Sequence, residues 1–447
     1  MVEQNKRPNI IFFFSDQQRW DTVGAYGQTL DVTPNLDKMA EEGIKFEYAF
    51  SCQPVCGPAR ACLQTGKYAT EIGTYRNGIA LPLDERTIAH HLADTGYEVA
   101  YVGKWHLASS GEDADYRTKP IPPLRRGGYR DYWMAADILE FTSHGYDGYV
   151  YDGDMNKVDF EGYRTDRITD FALDFIEKDH GDKPFYLMLS HIEPHHQNDR
   201  DRYEGPNGSK EKFKDYQVPG DLEGTEGDWE ENYPDYLGCC NSLDNNLGRI
   251  RKRLEELGIA DNTIIIYTSD HGSHFRTRNG EYKRSCHEAS IRIPLVIYGP
   301  GFRGGKEEKR LASLLDVPST ILTAAGIEPP DYMQGFPLQE LVNNNGDWRE
   351  EVFLQISESQ VGRAIRTKRW KYSVRAPHKD GWNDSESDIY VEDFLYDLEN
   401  DPFEKNNLVK EPAYAEIREE MAERLKRNMM KANEKKPMIK PAGSNIK

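Results

Sequence analysis

The sequence predicts an α/β fold: a mainly parallel central sheet sandwiched by helices, then a smaller C-terminal subdomain of an antiparallel sheet plus a terminal helix. Three observations predict it. Short apolar runs of strand character alternate with amphipathic helical segments, four of those runs stop abruptly in clusters of polar side chains, and late in the chain the alternation gives way to closely spaced strands and one charged helix. Strands alternating with helices form parallel sheets covered on both faces. Ligands of such sheets sit beyond the carboxyl ends of the strands, so the four clusters are expected to converge on one site.

In chain order, the first strand, residues 9–14, runs into Ser15-Asp16-Gln17. Thr33-Pro34 and Gly43 bracket a helix with Leu36, Met39 and Ala40 on one face. Helical periods recur at 87–95, 163–178, 233–257 and 314–325. Between them, strand 98–102 enters Gly103-Lys104-Trp105-His106, strand 185–189 enters Ser190-His191 and Pro194-His195-His196, and strand 263–267 enters Ser269-Asp270-His271-Gly272. The loops 109–133 and 197–229 are long for a compact domain and rich in Gly, Pro and charge, which makes them candidate walls of a substrate pocket. Asn343-Asn344-Asn345-Gly346 marks a boundary between residues 1–345 and 346–447. Beyond it come strands 352–356, 362–367 and 370–374, a turn-rich stretch opened by Tyr396-Asp397-Leu398, a helix over 412–431 and a tail, 435–447, expected to fray.

Composition narrows the function. The 447 residues carry 57 Lys and Arg against 76 Asp and Glu, a net charge of -19, which disfavours nucleic acid or an anionic membrane as the main partner. Hydrophobic residues at 37% and aromatics at 11% are too many for a disordered polyanion. No apolar run approaches the roughly 18 residues of a membrane span. The start Met-Val-Glu-Gln-Asn-Lys-Arg-Pro lacks the pattern of a signal peptide, and six cysteines, two of them adjacent at Cys239 and Cys240, suit buried thiols. A cytoplasmic location is the expectation. Nucleotide-binding glycine loops, a His-Glu-x-x-His pair and a Gly-x-Ser-x-Gly elbow are all absent from the sequence.

The most specific local pattern is Pro54-Val55-Cys56-Gly57-Pro58-Ala59-Arg60, continued by Leu63-Gln64-Thr65-Gly66-Lys67. Pro58 fits an early helical position, which would place Cys56 near a helix N-terminus, where peptide dipoles favour an anion. Cys52 and Cys62 lack this context and are expected to be structural, and the three cysteines lack the paired spacing of a zinc site. Asp16-Gln17 alone would read as a strand-end turn. Paired with Asp270-His271 it offers hard oxygen ligands suited to calcium.

Cys-x-Pro-x-Arg followed by Leu-x-Thr-Gly-Lys resembles the signature of type I, formylglycine-dependent sulfatases of the alkaline phosphatase-like superfamily. Asp16-Gln17, Thr33-Pro34-Asn35-Leu36-Asp37, Gly103-Lys104-Trp105-His106, Pro194-His195, Ser269-Asp270-His271-Gly272 and Tyr396-Asp397-Leu398 with Asp401-Pro402 and Glu404 resemble that family in its order, over essentially the whole chain. The resemblance implies hydrolysis of an organic sulfate ester by a formylglycine made from Cys56, beside a calcium ion, or magnesium or manganese, held by Asp16, Gln17, Cys56, Asp270 and His271. It implies that Lys104 and Lys283 clamp sulfate oxygens with Arg60 in the same positive pocket, that His195 protonates the leaving alcohol and that His106 takes a proton from the hemiacetal. Ala59 stands where the family often has serine, which points to a radical, anaerobic maturation enzyme as the partner. Gln17 and His271 are like those of choline sulfatases and phosphonate monoester hydrolases.

A sulfated sugar or glycan fragment is the expected substrate, because Tyr129, Tyr132, Trp133 and the substrate-binding candidates His196, Gln197 and Asn198 lie on loops expected to flank the site. His191, His274 and His287 are expected at the pocket edge or behind it. An aryl or choline sulfatase, a phosphonate or phosphate diester hydrolase on the same fold, and a glycan-binding protein with an unconverted Cys56 are the alternatives. The acidic balance favours a small sulfated end-group in a local positive pocket over a long polysulfated chain in a basic groove.

Overall fold

The structure is a computed structural model that describes residues 7–111, 114–343 and 346–444. A large sheet of 11 strands runs, from edge to edge, Lys306–Ser313, Ile44–Phe50, Leu295–Tyr298, Thr263–Ser269, Asn9–Ser15, Phe185–Ser190, Glu98–Lys104, Tyr132–Ala136, Asp147–Tyr151 and Lys157–Glu161, with Arg292–Ile293 pairing Ile44–Phe50 off this path. The four strands predicted to end in polar clusters are neighbours at its centre and mutually parallel. Register aligns their ends: Ser15 lies opposite Ser269, and Ser190 lies opposite both Phe14 and Gly103. The residue after each strand therefore opens onto one shared crevice.

Burial on both faces explains why these strands are continuously apolar. Ile10, Phe12 and Phe14 face a core shared with Ala59, Leu63, Ile88, Leu92, Val317 and Ile321. Ile11 and Phe13 face the other way, onto Leu36, Met39, Ile168, Phe175, Leu243, Leu247 and Ile250. The helices that supply those contacts, including Pro34–Glu42, Cys56–Thr65, Arg164–Ile176, Trp229–Glu256 and Asp316–Ala324, cover the sheet. The longest starts before the predicted residue 233, because Pro234 lies inside the helix rather than at its first turn. No helix among the described residues is long and apolar enough to cross a membrane.

The second sheet has five strands, Glu351–Ile356, Gly362–Thr367, Trp370–Arg375, Ile389–Asp397 and Met438–Lys440, and carries helix Ala415–Lys431 through Met421, Leu425 and Met429. Asn344 and Asn345, where the sequence places the boundary, lie outside the described residues. The tail expected to fray instead adds the last strand, Ile389 pairing with Met438 and Val391 with Lys440 in parallel. That strand is too short to show a period, and only the free edge of Ile389–Asp397 recruits it. Residues 445–447 lie outside the described residues.

The two sheets are fastened by buried charge. Lys371 Nζ, with no exposed surface, lies 2.5 Å from Glu404 Oε1 and 2.8 Å from Glu288 Oε1, and Arg366 adds a contact to Glu288 at 3.3 Å. Removing one member of such a cluster leaves uncompensated charge in the interior. Lys371→Met is therefore expected to lower stability by ~3–5 kcal/mol, read as a shift of the denaturant midpoint, whereas substitution of the exposed Lys368 should leave it within about 0.5 kcal/mol.

Candidate active site

The helix Cys56–Thr65 is buried along all 10 residues. Pro58 is tolerated in its first turn, and Gly66 ends it in the left-handed conformation at φ 74°. Cys56 is its first residue and stands at the end where backbone N–H groups lack intrahelical partners. The N–H of Gly57 donates to Asn77 Oδ1 at 2.9 Å. A Cβ on Gly57 would meet that oxygen at 2.9 Å, so a larger residue here would push the Asn77 amide aside.

Cys56 Sγ is surrounded by Lys283 Nζ at 2.9 Å, His271 Nε2 at 3.2 Å and Asp16 Oδ1 at 3.4 Å. Burial alone would push the thiol up, but Lys104, Lys283 and His271 hold it well below the usual cysteine range. The carboxylate of Asp16 is equally enclosed. Its Oδ2 accepts from Lys104 Nζ at 2.7 Å and Arg60 Nη2 at 2.9 Å. Burial and Cys56 push Asp16 up, yet Lys104, His195 and Arg60 outweigh them and keep it low. Arg60 Nη1 donates to the carbonyl of Lys104 at 2.9 Å and to Ser190 Oγ at 2.6 Å, so one guanidinium ties three strand ends together.

Lys283 comes from the irregular segment before Glu288–Ile291. Its carbonyl is held by His274 Nε2 and Asn279 Nδ2, each at 3.0 Å. An ammonium has three N–H bonds and no lone pair, and Lys283 has three acceptors: Cys56 Sγ at 2.9 Å, His195 Nε2 at 3.1 Å and Gln17 Oε1 at 3.3 Å. Burial would lower Lys283, while Cys56, Asp16 and Asp270 raise it above its ordinary value.

Asp16, Cys56, Asp270 and His271 each offer a ligand atom, all within 4.8 Å of one another. Asp270 Oδ1 accepts the backbone N–H of Gln17 and of His271, both at 2.9 Å. Its Oδ2 is buried without a hydrogen-bond partner, and Arg60 Nε, 3.6 Å away, is likewise unpartnered. Burial, Asp16 and Cys56 push Asp270 up to about 7. Gln17, at φ 70°, spends its amide NH₂ on Tyr203 and Ser273, which turns Oε1 towards the site. His271 Nδ1 donates to the carbonyl of Gly272 at 2.9 Å, so Nε2 is the nitrogen turned to Cys56: protonated, it favours the thiolate, and with that proton lost it offers a lone pair to a cation. An orphaned carboxylate oxygen beside further oxygens and one imidazole lone pair is a donor set that fits a hard divalent cation.

The other predicted residues are placed as follows. His106, at φ 60°, is partly buried beside Cys56 and leaves its Nδ1 without a partner. His195 is 9% exposed; burial, Lys283 and Lys104 push it below the usual histidine range. His196 stacks on Tyr282 and bonds its hydroxyl at 2.9 Å. Gln197 is buried between Arg164, Asp199 and the carbonyl of Glu140. Asn198 is exposed but turns its backbone N–H and side-chain NH₂ onto the Glu140 carboxylate at 2.8 and 3.1 Å. His191 lies in the core against Phe13, and His287 bonds Tyr396 at 3.2 Å.

The aromatic wall expected from Tyr129, Tyr132 and Trp133 is not there. Tyr129 and Trp133 are each 2% exposed and pack with Tyr101 and Trp105 under the sheet. Tyr132 lies against Phe175. The cause is the strand Tyr132–Ala136, which draws the end of that loop into the sheet. Sequence reasoning also missed Asn77, Glu140 and Tyr203, which hold site residues through single side-chain contacts and carry no spacing signal.

Comparison with known proteins agrees with this geometry. A family model described as Sulfatase matches residues 8–327, and one described as N-sulphoglucosamine sulphohydrolase, C-terminal, matches residues 280–431. An N-acetylglucosamine-6-O-sulfatase of Bacteroides thetaiotaomicron is 28% identical, over 97% of this chain and 88% of its own. The crystal structure of the yidJ sulfatase of Bacteroides fragilis superposes with a TM-score of 0.82 at 28% identity, covering 97% of both chains. A protein solved with its substrate D-glucosamine-2-N,6-O-disulfate superposes with a TM-score of 0.76 at 26% identity, over 96% of this chain and 98% of that one. With a Sulfatase family model matching residues 8–327, and a buried cysteine and two buried lysines gathered about a cation-fitting carboxylate group beyond the ends of the parallel strands, the chain belongs to the sulfatase family and is a sulfuric ester hydrolase.

Proposed function

We propose that this sulfatase removes sulfate from a small sulfated carbohydrate, using residue 56 converted to formylglycine and a hard divalent cation, calcium first, held by Asp16, Gln17, Asp270 and His271. The observation that carries this reading is Cys56 at the N-terminus of a buried helix, with Lys283, His271 and Asp16 all within 3.4 Å of its sulfur. When present, the cation supplies Lewis acidity and the hydrated formylglycine supplies two hydroxyls on one carbon, one to take the sulfuryl group and one to expel sulfate.

The chain's own groups do the remaining work. Lys104 and Lys283 bring two buried ammonium groups to residue 56, where negative charge grows on sulfate oxygens in the transition state. His195 offers Nε2 beside Lys283 for proton delivery to the leaving alcohol. His106 is placed to take the proton of the residue 56 hydroxyl as sulfate departs. Arg60 is buried and acts by orienting Asp16 and the ends of two neighbouring strands.

A carbohydrate substrate is supported by the relatives, whose names specify N-acetylglucosamine-6-O-sulfate chemistry and a glucosamine disulfate. The net charge of -19 favours a small end-group over a long polysulfated chain. Mass spectrometry of the Cys56 peptide, from protein co-expressed with a radical maturation enzyme, should show formylglycine, with sulfate released faster from sulfated amino sugars than from an aryl sulfate. A retained thiol with full activity would overturn the formylglycine reading, and the reverse substrate ranking the carbohydrate one.

Lys283→Ala is expected to lower kcat by ~10²–10³ while leaving the folded spectrum intact, as for loss of one transition-state donor. Calcium affinity, followed by titration calorimetry, should weaken as pH falls below about 7, because a proton then competes with the ion for Asp270.

A further inference from the structure

The His195 imidazole poses a question that the predicted residues do not answer. Its Nε2 lies 3.1 Å from Lys283 Nζ, and an ammonium can only donate, so Nε2 accepts and the proton of the neutral ring sits on Nδ1. That Nδ1 is buried and has no hydrogen-bond partner. A buried N–H without an acceptor is destabilising, so a nearby carboxylate is informative. Glu140 Oε2 is 3.9 Å away. A small rotation of the ring or one bridging water would join them, and such contacts are often long before substrate binds.

Glu140 is built into place rather than left on a surface. It is 8% exposed, in the single turn Leu139–Phe141 that follows the strand Tyr132–Ala136. Asn198 donates to both carboxylate oxygens, through its backbone N–H at 2.8 Å and its side chain at 3.1 Å. Gln197 Nε2 bonds the Glu140 carbonyl at 3.3 Å. Two residues expected to touch substrate are thus spent on fixing one carboxylate beside His195.

We propose that Glu140 is the positioning carboxylate of His195, taking the Nδ1–H and thereby holding Nε2 on the leaving-group side. The inference rests on the reading of His195 as proton donor. In the step it serves, Nε2 of the neutral ring takes the proton of the residue 56 hydroxyl as that oxygen bonds to sulfur, and the ester S–O bond breaks with its electron pair staying on the departing oxygen. The imidazolium so formed gives that same proton from Nε2 to the departing oxygen. The ring is left as the neutral Nδ1–H form, whose Nε2 again accepts from Lys283. Glu140 keeps its own proton count throughout and lowers the cost of the charged ring, as the carboxylate of a catalytic triad does.

The test uses enzyme in which residue 56 is converted, with conversion verified for each variant. Glu140→Ala, Glu140→Gln and Glu140→Asp are assayed on aryl sulfates of graded phenol acidity and on one alkyl sulfate. Glu140→Ala should lose ~10-fold or less in kcat/KM on the most acidic phenol and ~10²–10³-fold on the alkyl sulfate, because only a poor leaving group needs the proton. Glu140→Asp should recover part of the loss, and the isosteric Glu140→Gln, which keeps one of the two Asn198 contacts, should show the same graded pattern. In a His195→Ala background, removing Glu140 should change nothing further. An equal loss across the series, a rise in KM confined to sugar sulfates, or additivity with His195→Ala would overturn the assignment. Failure of the parent enzyme to release any sulfate would overturn the formylglycine reading beneath it, and this one with it.

Discussion

The buried charge cluster around Asp16 is the constraint on which the rest of the structure depends. Its carboxylate is fully enclosed, and isolated burial of such a charge costs several kcal/mol or more. Lys104 and Arg60 on Oδ2 offset that cost. Neither cation can serve unless the strands carrying Asp16, Lys104 and Ser190 end in register. Ion pairing here therefore specifies an alignment of the sheet as much as it stabilises it.

The same cluster explains why the residue at position 56 matters electrostatically. Arg60, Lys104 and Lys283 face two carboxylates and a thiol whose ionised form is favoured. As cysteine, position 56 supplies the third negative charge. The proposed conversion to an aldehyde would remove that charge and leave the pocket with an excess of positive charge for a sulfate ester. An anionic protein can thus bind an anionic substrate, since exposed acids are screened over roughly 8–10 Å while the buried site is screened much less.

The histidines show how one residue type is sorted by surroundings. His191 and His274 are pushed low by burial, to about 3 and about 4, and serve as neutral packing and hydrogen-bonding rings. Asp270 raises His271, despite burial, and its tautomer is set by the Gly272 carbonyl. His195 sits between a lysine and a glutamate. Function follows from which atoms oppose each ring nitrogen, and that is a tertiary property.

What the sequence by itself determined was local. Continuous apolar runs marked the four central strands, proline and glycine bracketed helices, and the spacing of Cys56, Pro58 and Arg60 placed the cysteine at a helix start. Abrupt polar ends marked Asp16, Lys104, His195 and Asp270, because a strand buried on both faces tolerates such groups only at its exit. Only the tertiary structure decided the rest. Met438–Lys440 is a strand because an edge was open, and Tyr129 and Trp133 are core because a strand drew them in. Gln197 and Asn198 turn inward because Glu140 arrives 57 and 58 residues away in sequence. Short strands, single hydrogen bonds and long-range contacts leave no period or spacing in a sequence, since their energy comes from partners that only the folded chain brings together.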